Sequence, residues 1–398
     1  MTTSPDTGRA ALDNELALYV HWPFCVSKCP YCDFNSHVVD TVDHGEWRDA
    51  LLRELDFEAQ RNPGAKLQSI FFGGGTPSLM DASTTKAVIE SAKTHWQPID
   101  DLEITLEANP GTVDLDRFAA FQDAGINRLS LGVQSLDDEQ LKFLGRGHTA
   151  AEARLAVQRA GDVFGRLSFD LIYARPGHTA SEWKSELSEA LELLISAGGR
   201  HLSCYQLTIE EHTPFKTEFD RGAFTLPDED GGSDLFDLTQ DILAAAGLPA
   251  YEVSNHAGTG DACRHNVHVW QGGAYVGIGP GAHGRINSSG IMRSTQRLKP
   301  PAQWLKRVAA EGHGSQSETV LTAQQRAEEM VMLALRLDSG LDLIHLEHAT
   351  ELSRHDVISE EDMAALVSEG LLKMSENVLQ TTRRGRLVLN GIIQTLLS

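Results

Sequence analysis

Cysteine is scarce in this chain. Five in 398 residues is too few, and an odd number, for a secreted disulfide framework. Positive charge is short as well. Lys and Arg total 34 against 56 Asp and Glu, a formal net charge of −22, which repels phosphate backbones and anionic leaflets. Nucleic acid is therefore not expected as a partner. There is no run of about 18 apolar residues, so no membrane span is expected. Residues 1–15 are polar, lack the apolar core of a signal peptide and read as a flexible N-terminus. These absences point to a cytoplasmic protein in a reducing compartment. With 41% hydrophobic and 23% charged residues the composition is globular. The length suggests two or three units, or one large α/β domain with an appendage.

From residue 16 to about 210, short β-rich runs alternate with segments of helical period, the pattern of βα units around a parallel sheet. Strands are predicted at Leu16–Trp22, Leu67–Phe72, Leu102–Leu106, Arg128–Val133, Leu167–Ile172 and His201–Leu207. Six repeats fit a partial (β/α)6 barrel, with an open doubly wound sheet as the alternative. In either, ligands gather at the carboxyl ends of strands. Those ends carry His21–Cys25, Gly73–Pro77, Glu107–Pro110, Gln134-Ser135, Asp170 with Tyr173, and Tyr205-Gln206, which suggests one shared pocket. Residues 211–300 read as a region covering the barrel and rich in Gly and His. Residues 301–320, with Pro300-Pro301 and a polar run, read as a linker. Residues 321–398 read as a small, mainly helical, winged-helix-like C-terminal domain. With seven basic against twelve acidic residues, DNA binding is not favoured there despite Arg383, Arg384 and Arg386.

Three of the five cysteines fall in eight positions, Cys25-Val-Ser-Lys-Cys29-Pro-Tyr-Cys32. Thiolates spaced C-x3-C-x2-C on a bending loop suit three corners of a cubane iron–sulfur cluster, with one iron left open. A zinc site with His21 or His37 as fourth ligand is the alternative, and chance clustering of core cysteines a weaker one. Cys204 and Cys263 read as buried small hydrophobes.

C-x3-C-x2-C after the first strand of a partial βα barrel resembles the radical S-adenosylmethionine (SAM) enzymes. Tyr19-Val-His-Trp-Pro-Phe-Cys25 with Gly-Gly-Gly-Thr-Pro downstream resembles one branch: oxygen-independent coproporphyrinogen III oxidase and its heme-chaperone relatives. The resemblance implies that Cys25, Cys29 and Cys32 bind a [4Fe-4S] cluster whose open iron chelates SAM. It implies that Tyr19 lies beside the cofactor and that Tyr31 flanks the adenine. Gly74, Gly75 and Thr76 would bring backbone N–H groups to the methionyl part. Glu107, Gln134, Arg146 and Asp170, with Gln206 as an addition, would contact SAM; carboxylates suit ribose hydroxyls and Arg suits a carboxylate. Each of these residues alone has a plainer reading, as a turn, a helix cap or a solvated charge.

Two departures favour the chaperone side of the branch. The oxidases carry a fourth cysteine two residues after the third, where this chain has Phe34, and a long segment before the barrel, where 18 residues precede Tyr19. The chaperones have an H-N-x-x-Y-W motif; here it reads His265-Asn-Val-His268-Val269-Trp270, with Val269 in place of Tyr. His265 is the candidate axial heme ligand, His268 a second, and Trp270 would pack on the macrocycle; otherwise these are hydrogen-bonded loop residues. The resemblance thus implies a chaperone that binds heme, a [4Fe-4S] cluster and SAM. Heme-acceptor proteins, membrane-bound ones included, and an electron donor would be its partners, and it would work as a monomer or dimer. The scaffold allows SAM cleavage, whereas the departures argue against coproporphyrinogen III dehydrogenation. The alternatives are the radical decarboxylase itself and, further off, a zinc-stabilised interaction protein.

Overall fold

The computed structural model describes residues 14–288 and 290–398, so most of the N-terminal stretch read as flexible lies outside the described residues. Strand and helix alternate as β1 (Glu15–Trp22), α1 (His44–Arg61), β2 (Lys66–Gly74), α2 (Ala82–His95), β3 (Gln97–Ala108), α3 (Leu115–Asp123), β4 (Arg128–Gln134), α4 (Asp138–Phe143), α5 (Ala150–Val163), β5 (Arg166–Tyr173), α6 (Ala180–Ser196) and β6 (His201–Gln206). The helices begin where side chains satisfy their first N–H groups. Thr149 with Glu152 and Thr179 with Glu182 form capping boxes. β3 is longer than its apolar core suggests, because its polar start pairs with β2 ahead of a register shift.

Period-2 alternation sorts each strand into two faces. Leu16, Leu18, Val20 and Trp22 of β1 join one core with Trp47, Leu51 and Leu55 of α1. The opposite face is polar: Tyr19 and His21, Ser69, Glu103 and Glu107, Arg128 and Ser130, Ser168 and Asp170, His201 and Ser203. β1 to β6 run parallel in sequence order. The sheet curls round this polar face, since Arg166 of β5 reaches Glu103 of β3 at 2.6 Å.

Residues 211–300 do more than cover the barrel. After α7 (Pro214–Asp220) and α8 (Glu229–Ala245), β7 (Asn255–Ala257) adds to β6 antiparallel. Helix α9 (Arg264–Trp270) then enters the amino-terminal end of the barrel, and β8 (Ala274–Ile278) pairs parallel with β1 as a seventh parallel strand. β9 (His283–Ser288), β10 (Ile291–Arg297) and β11 (Ser315–Val320) continue antiparallel, giving eleven strands in one sheet. The segment read as a linker is therefore built into the fold. Pro301 stands at the first position of α10 (Pro301–Glu311), where its missing N–H costs nothing. β11 is an edge strand whose polar side chains face solvent, the composition that protects an edge and hides it from a pattern search.

A buried ionic network fastens this extension to the barrel. Glu54 of α1 accepts from Gly314 N at 2.6 Å, Gly279 N at 2.8 Å and Trp304 Nε1 at 3.0 Å. Arg297 lies between Glu54 and Glu58, all three buried. Burial pushes the Glu54 carboxyl up, while Arg297 and the three donors hold it down.

From Ala323 a second core forms. Its elements run α11 (Ala323–Ala334), β12 (Leu341–Asp342), α12 (Leu343–Thr350), α13 (Arg354–Val357), α14 (Glu360–Ser368), β13 (Leu372–Ser375), β14 (Val378–Thr381), α15 (Arg383–Arg386) and α16 (Leu389–Leu396), with sheet order β12-β14-β13. Helix, strand, helices and hairpin follow in winged-helix order. Arg383 pairs with Asp237 and Asp241 of α8, and Arg386 with Asp338. Among the described residues no helix is long and apolar enough to cross a membrane.

Removing one partner of a buried ionic network costs about 3–5 kcal/mol, because the other charge is left unpaired. Arg297→Met is expected to lower the chemical-denaturation midpoint by that order, whereas Arg293→Met, at a more exposed pair, should change it by less than about 1 kcal/mol.

Candidate functional site

Beyond β1, Phe24–Cys25 pairs with His37–Val38 in a two-residue parallel bridge. The intervening loop, with Cys29 and Cys32, is thereby held at the carboxyl ends of the strands. All three cysteines are free and half-buried. Each sulfur meets a donor from outside the motif: Thr76 Oγ1 at 3.4 Å from Cys25, Arg146 Nη1 at 3.3 Å from Cys29, and the Ser36 hydroxyl at 3.9 Å from Cys32. Burial pushes the Cys25 and Cys32 thiols up, and the hydroxyls of Thr76 and Ser36 pull them back. The sulfurs lie close enough for Cys29 and Cys32 to raise the Cys25 thiol further and for Cys29 to do so at Cys32.

The glycines are required by close approach. A Cβ on Gly75 would stand 2.8 Å from Phe24 O and 3.0 Å from Cys25 Sγ. Gly74, at φ +115°, would meet the His21 ring at 2.7 Å. Their N–H groups are not free for a cofactor, however. Gly74 N donates to Glu107 Oε2 at 3.3 Å, Gly75 N to Trp22 O at 2.7 Å and Thr76 N to Phe24 O at 2.8 Å. The loop's donors thus hold the cysteine strand and one carboxylate, which corrects the expectation that they face the methionyl part.

Arg146 is the half-buried cation that touches the cysteine loop. Besides Cys29 it donates to Tyr31 Oη at 3.5 Å, to Gly132 O at 2.7 Å and to Asn109 Oδ1. Asn109 Nδ2 lies 3.3 Å from Thr76 Oγ1, so a chain of hydrogen bonds runs from Arg146 through Asn109 and Thr76 to Cys25. The following loop is pressed on the cysteines, since a Cβ on Gly145 would stand 2.5 Å from Pro30.

Below the thiols, Glu107 and Asp170 face each other. Burial, reinforced by the Asp170 charge, pushes the Glu107 carboxyl up to about 8. Burial pushes Asp170 up to about 6, although hydroxyls of Ser203 and Ser130 and the Arg128 and Arg146 charges favour its anion. Two recessed carboxylates without a salt-bridge partner among the described residues suit a cationic or hydroxyl-bearing ligand.

The other expected residues divide. Gln134 ends β4 in the left-handed region at φ +73°, with its amide over Gly132. Tyr31 is at the mouth. Tyr19 lies one layer deeper, its hydroxyl 3.1 Å from His21 Nδ1 and its ring between Phe71 and His265. Gln206 points outward toward Gly232 of α8; by strand parity its neighbour Tyr205 points inward, toward Asp170 and Glu107. His265 is enclosed at the barrel floor. Its Nδ1 meets Ser69 Oγ at 2.9 Å, its ring packs on Phe71, and burial pushes its pKa down to about 3. His268 is buried with Nε2 2.8 Å from Ala274 O, and Trp270 faces Arg336 and Tyr251. The segment is the helix α9, with both histidines buried.

Glu103 anchors that helix. It accepts the N–H groups of Arg264 and His265, both at 3.1 Å, and pairs with Arg166. Burial would raise its pKa, but Arg128, Arg166 and those N–H groups hold it below the usual range. Sequence reasoning missed Ser36 and Glu103; for Glu103 the signal was a polar residue at every second position of its strand, whereas Ser36 lies on a loop and had none. The zinc alternative loses His21 as a fourth ligand. His21 engages Tyr19 and Asn35 O with its two nitrogens, and His37 bonds Asn35 Oδ1 through Nε2 and stands on the outer side of the loop, with only Nδ1 open. Among the described residues no three His, Cys, Asp or Glu side chains converge on a single ion.

A curled parallel sheet with a polar interior, and three free thiols on the loop after its first strand, defines the radical SAM class. A family model described as "Radical SAM superfamily" matches residues 19–190, and one described as "HemN C-terminal domain" matches 321–388. The heme chaperone HemW of Escherichia coli is 37% identical over 96% of this chain and 98% of its own length. The mitochondrial radical S-adenosyl methionine domain-containing protein 1 of Mus musculus is 37% identical over 96% and 87%. The solved structure of coproporphyrinogen III oxidase (HemN) from Escherichia coli superposes with a TM-score of 0.80 at 23% identity, covering 100% of this chain and 94% of that one. The chain belongs to the HemW family of the radical SAM superfamily. That family implies a [4Fe-4S] cluster and SAM, and the free thiols with their donors, the close-packed glycines and the unpaired carboxylates fit both.

The carboxylate pair makes the cofactor-free protein sensitive to pH. Because folding raises the Glu107 pKa, its burial costs stability increasingly as pH rises from the ordinary carboxylate range, about 4.3, through about 8. In cluster-free protein, Glu107→Gln should raise the thermal midpoint at pH 8–9 and converge with wild type near pH 4–5. Parallel melting curves across that range would contradict the assignment.

Proposed function

We propose that this protein is a heme chaperone on a radical SAM scaffold, which takes up heme and delivers it to acceptor proteins in the cytoplasm with electrons from a donor protein. The observation that carries this reading is 37% identity over 96% of the chain to a protein named for that function, across 98% of that protein's length. Phe34, 60% exposed where the oxidases have a fourth cysteine, agrees with it. In this reading residues 16–210 form the cofactor chamber, 211–320 extend and close it, and 321–398 form a docking unit.

Cys25, Cys29 and Cys32 would hold the cluster. A cluster with three protein thiolates supplies single electrons and an open iron for SAM. The chain's own residues tune that supply. Thr76, Arg146 and Ser36 each donate to one sulfur, which favours thiolate over thiol and stabilises added electron density. Glu107 and Asp170 would take the amino or hydroxyl groups of SAM, with Tyr205 beside them. Arg146, committed to Cys29 and Asn109, would lie within reach of a cofactor carboxylate. Tyr31 and Gln134 would border the adenine side.

Anaerobically reconstituted protein is expected to take up one hemin per chain and to yield no protoporphyrinogen from coproporphyrinogen III with SAM and dithionite. Turnover to protoporphyrinogen would replace this reading with the oxidase. Thr76→Val should keep full iron and sulfide content and shift the cluster's midpoint potential downward, read by a spectroscopic redox titration. An unchanged potential would remove Thr76 from the tuning set.

A further inference from the structure

With the α9 histidines enclosed, a heme ligand has to be sought where a macrocycle can arrive. The cysteine loop offers such a place. Val26 (66% exposed), Phe34 (60%), Val38 (54%) and Val39 (42%) are large apolar side chains left in solvent within fourteen positions. The Cys25–Val38 pairing, at one strand spacing of ~4.8 Å, brings the two ends of the loop together, with Val26 following Cys25 and Val39 following Val38. A contiguous exposed apolar patch at the mouth of a cofactor chamber marks a binding surface.

His37 lies inside this patch, and its bonding fixes its tautomer. Asn35 Nδ2 donates to Pro280 O at 2.9 Å and to Lys299 O at 3.0 Å, so the Asn35 amide cannot be flipped without losing both. Its Oδ1 therefore faces His37 Nε2 at 3.1 Å, and Nε2 must carry the proton. Nδ1 keeps its lone pair and has no hydrogen-bond partner among the described residues. A histidine whose far nitrogen donates to a fixed carbonyl is oriented as a metal ligand is oriented. The other histidines at the mouth lack this. Both nitrogens of His21 are engaged. His283 Nε2 faces the Gln296 amide nitrogen at 3.5 Å, which uses its lone pair. Lys28 is exposed and close enough to His37 to act on its charge, a local cation in a chain of net charge −22.

We infer that His37 Nδ1 is the axial ligand of a heme site on the outer lip of the cysteine loop, with Phe34, Val26, Val38 and Val39 as its apolar bed and Lys28 beside a propionate. This rests on the chaperone reading and gives the cargo a place that the H-N-x-x-x-W helix does not. The site adjoins the thiols, so heme iron and cluster share one wall of the protein.

The test is hemin titration of full-length, cluster-reconstituted protein, followed by Soret absorbance and magnetic circular dichroism. His37→Ala should weaken hemin binding by at least about tenfold and abolish the histidine-ligated spectrum, with imidazole restoring that spectrum. Phe34→Ser should weaken binding several-fold with the spectrum unchanged. Iron and sulfide content equal to wild type in both variants shows that the loop still folds. Wild-type affinity and spectrum in His37→Ala overturn the site, as does a loss seen with His283→Ala or His265→Ala alone. Wild-type protein that takes up no hemin overturns the chaperone reading with it; uptake that ignores His37 overturns this site alone.

Discussion

The guanidinium of Arg146 is the contact on which the mouth of this barrel depends. The cysteine loop, the end of β3 and the end of β4 converge there, each presenting an acceptor: Cys29 Sγ, Asn109 Oδ1 and Gly132 O. Three thiolates with Glu107 and Asp170 beneath them would make a concentrated patch of negative charge, expensive to assemble in a low-dielectric interior. A half-buried Arg that touches a sulfur and braces two strand ends offsets that charge and fixes the geometry together. Lys has neither the fork nor the number of donors for this.

The opposite end of the barrel solves a different problem with similar means. A seven-residue helix has few internal hydrogen bonds, and Cys263 gives α9 no side-chain cap. Glu103, from a strand, caps it by accepting two of its first N–H groups, where the helix dipole also favours an anion. Arg166 and Arg128 keep that anion charged. The His265 ring becomes a packed, hydrogen-bonded part of the floor. Its conspicuous sequence motif thus meets an architectural demand of the floor.

Much of this was legible in the sequence, for identifiable reasons. The six strands and their helices showed because apolar residues recur at clear periods, and the three cysteines because their spacing is rare. What failed did so through non-local causes. β8 was hidden because its partner, β1, lies more than 250 residues earlier. α10 and β11 read as linker because Pro marks helix starts and loops alike, and an edge strand needs no apolar face. Tyr205 and Gln206 both stand at the end of β6, and only parity along the strand tells which of them faces the carboxylates. Gly74 to Thr76 were rightly picked as a special turn, but nothing in one dimension tells which partner takes their N–H groups.

The sealed floor has a consequence for the order of events. A barrel open at both ends lets each ligand come and go independently. With α9 seated on Glu103 and its first histidine packed among Tyr19, Phe71 and Ser69, traffic is confined to the mouth. Whatever sits deepest has to arrive first and leave last, and whatever rests on the lip acts as its lid. A chamber of this kind enforces a sequence of loading by shape alone.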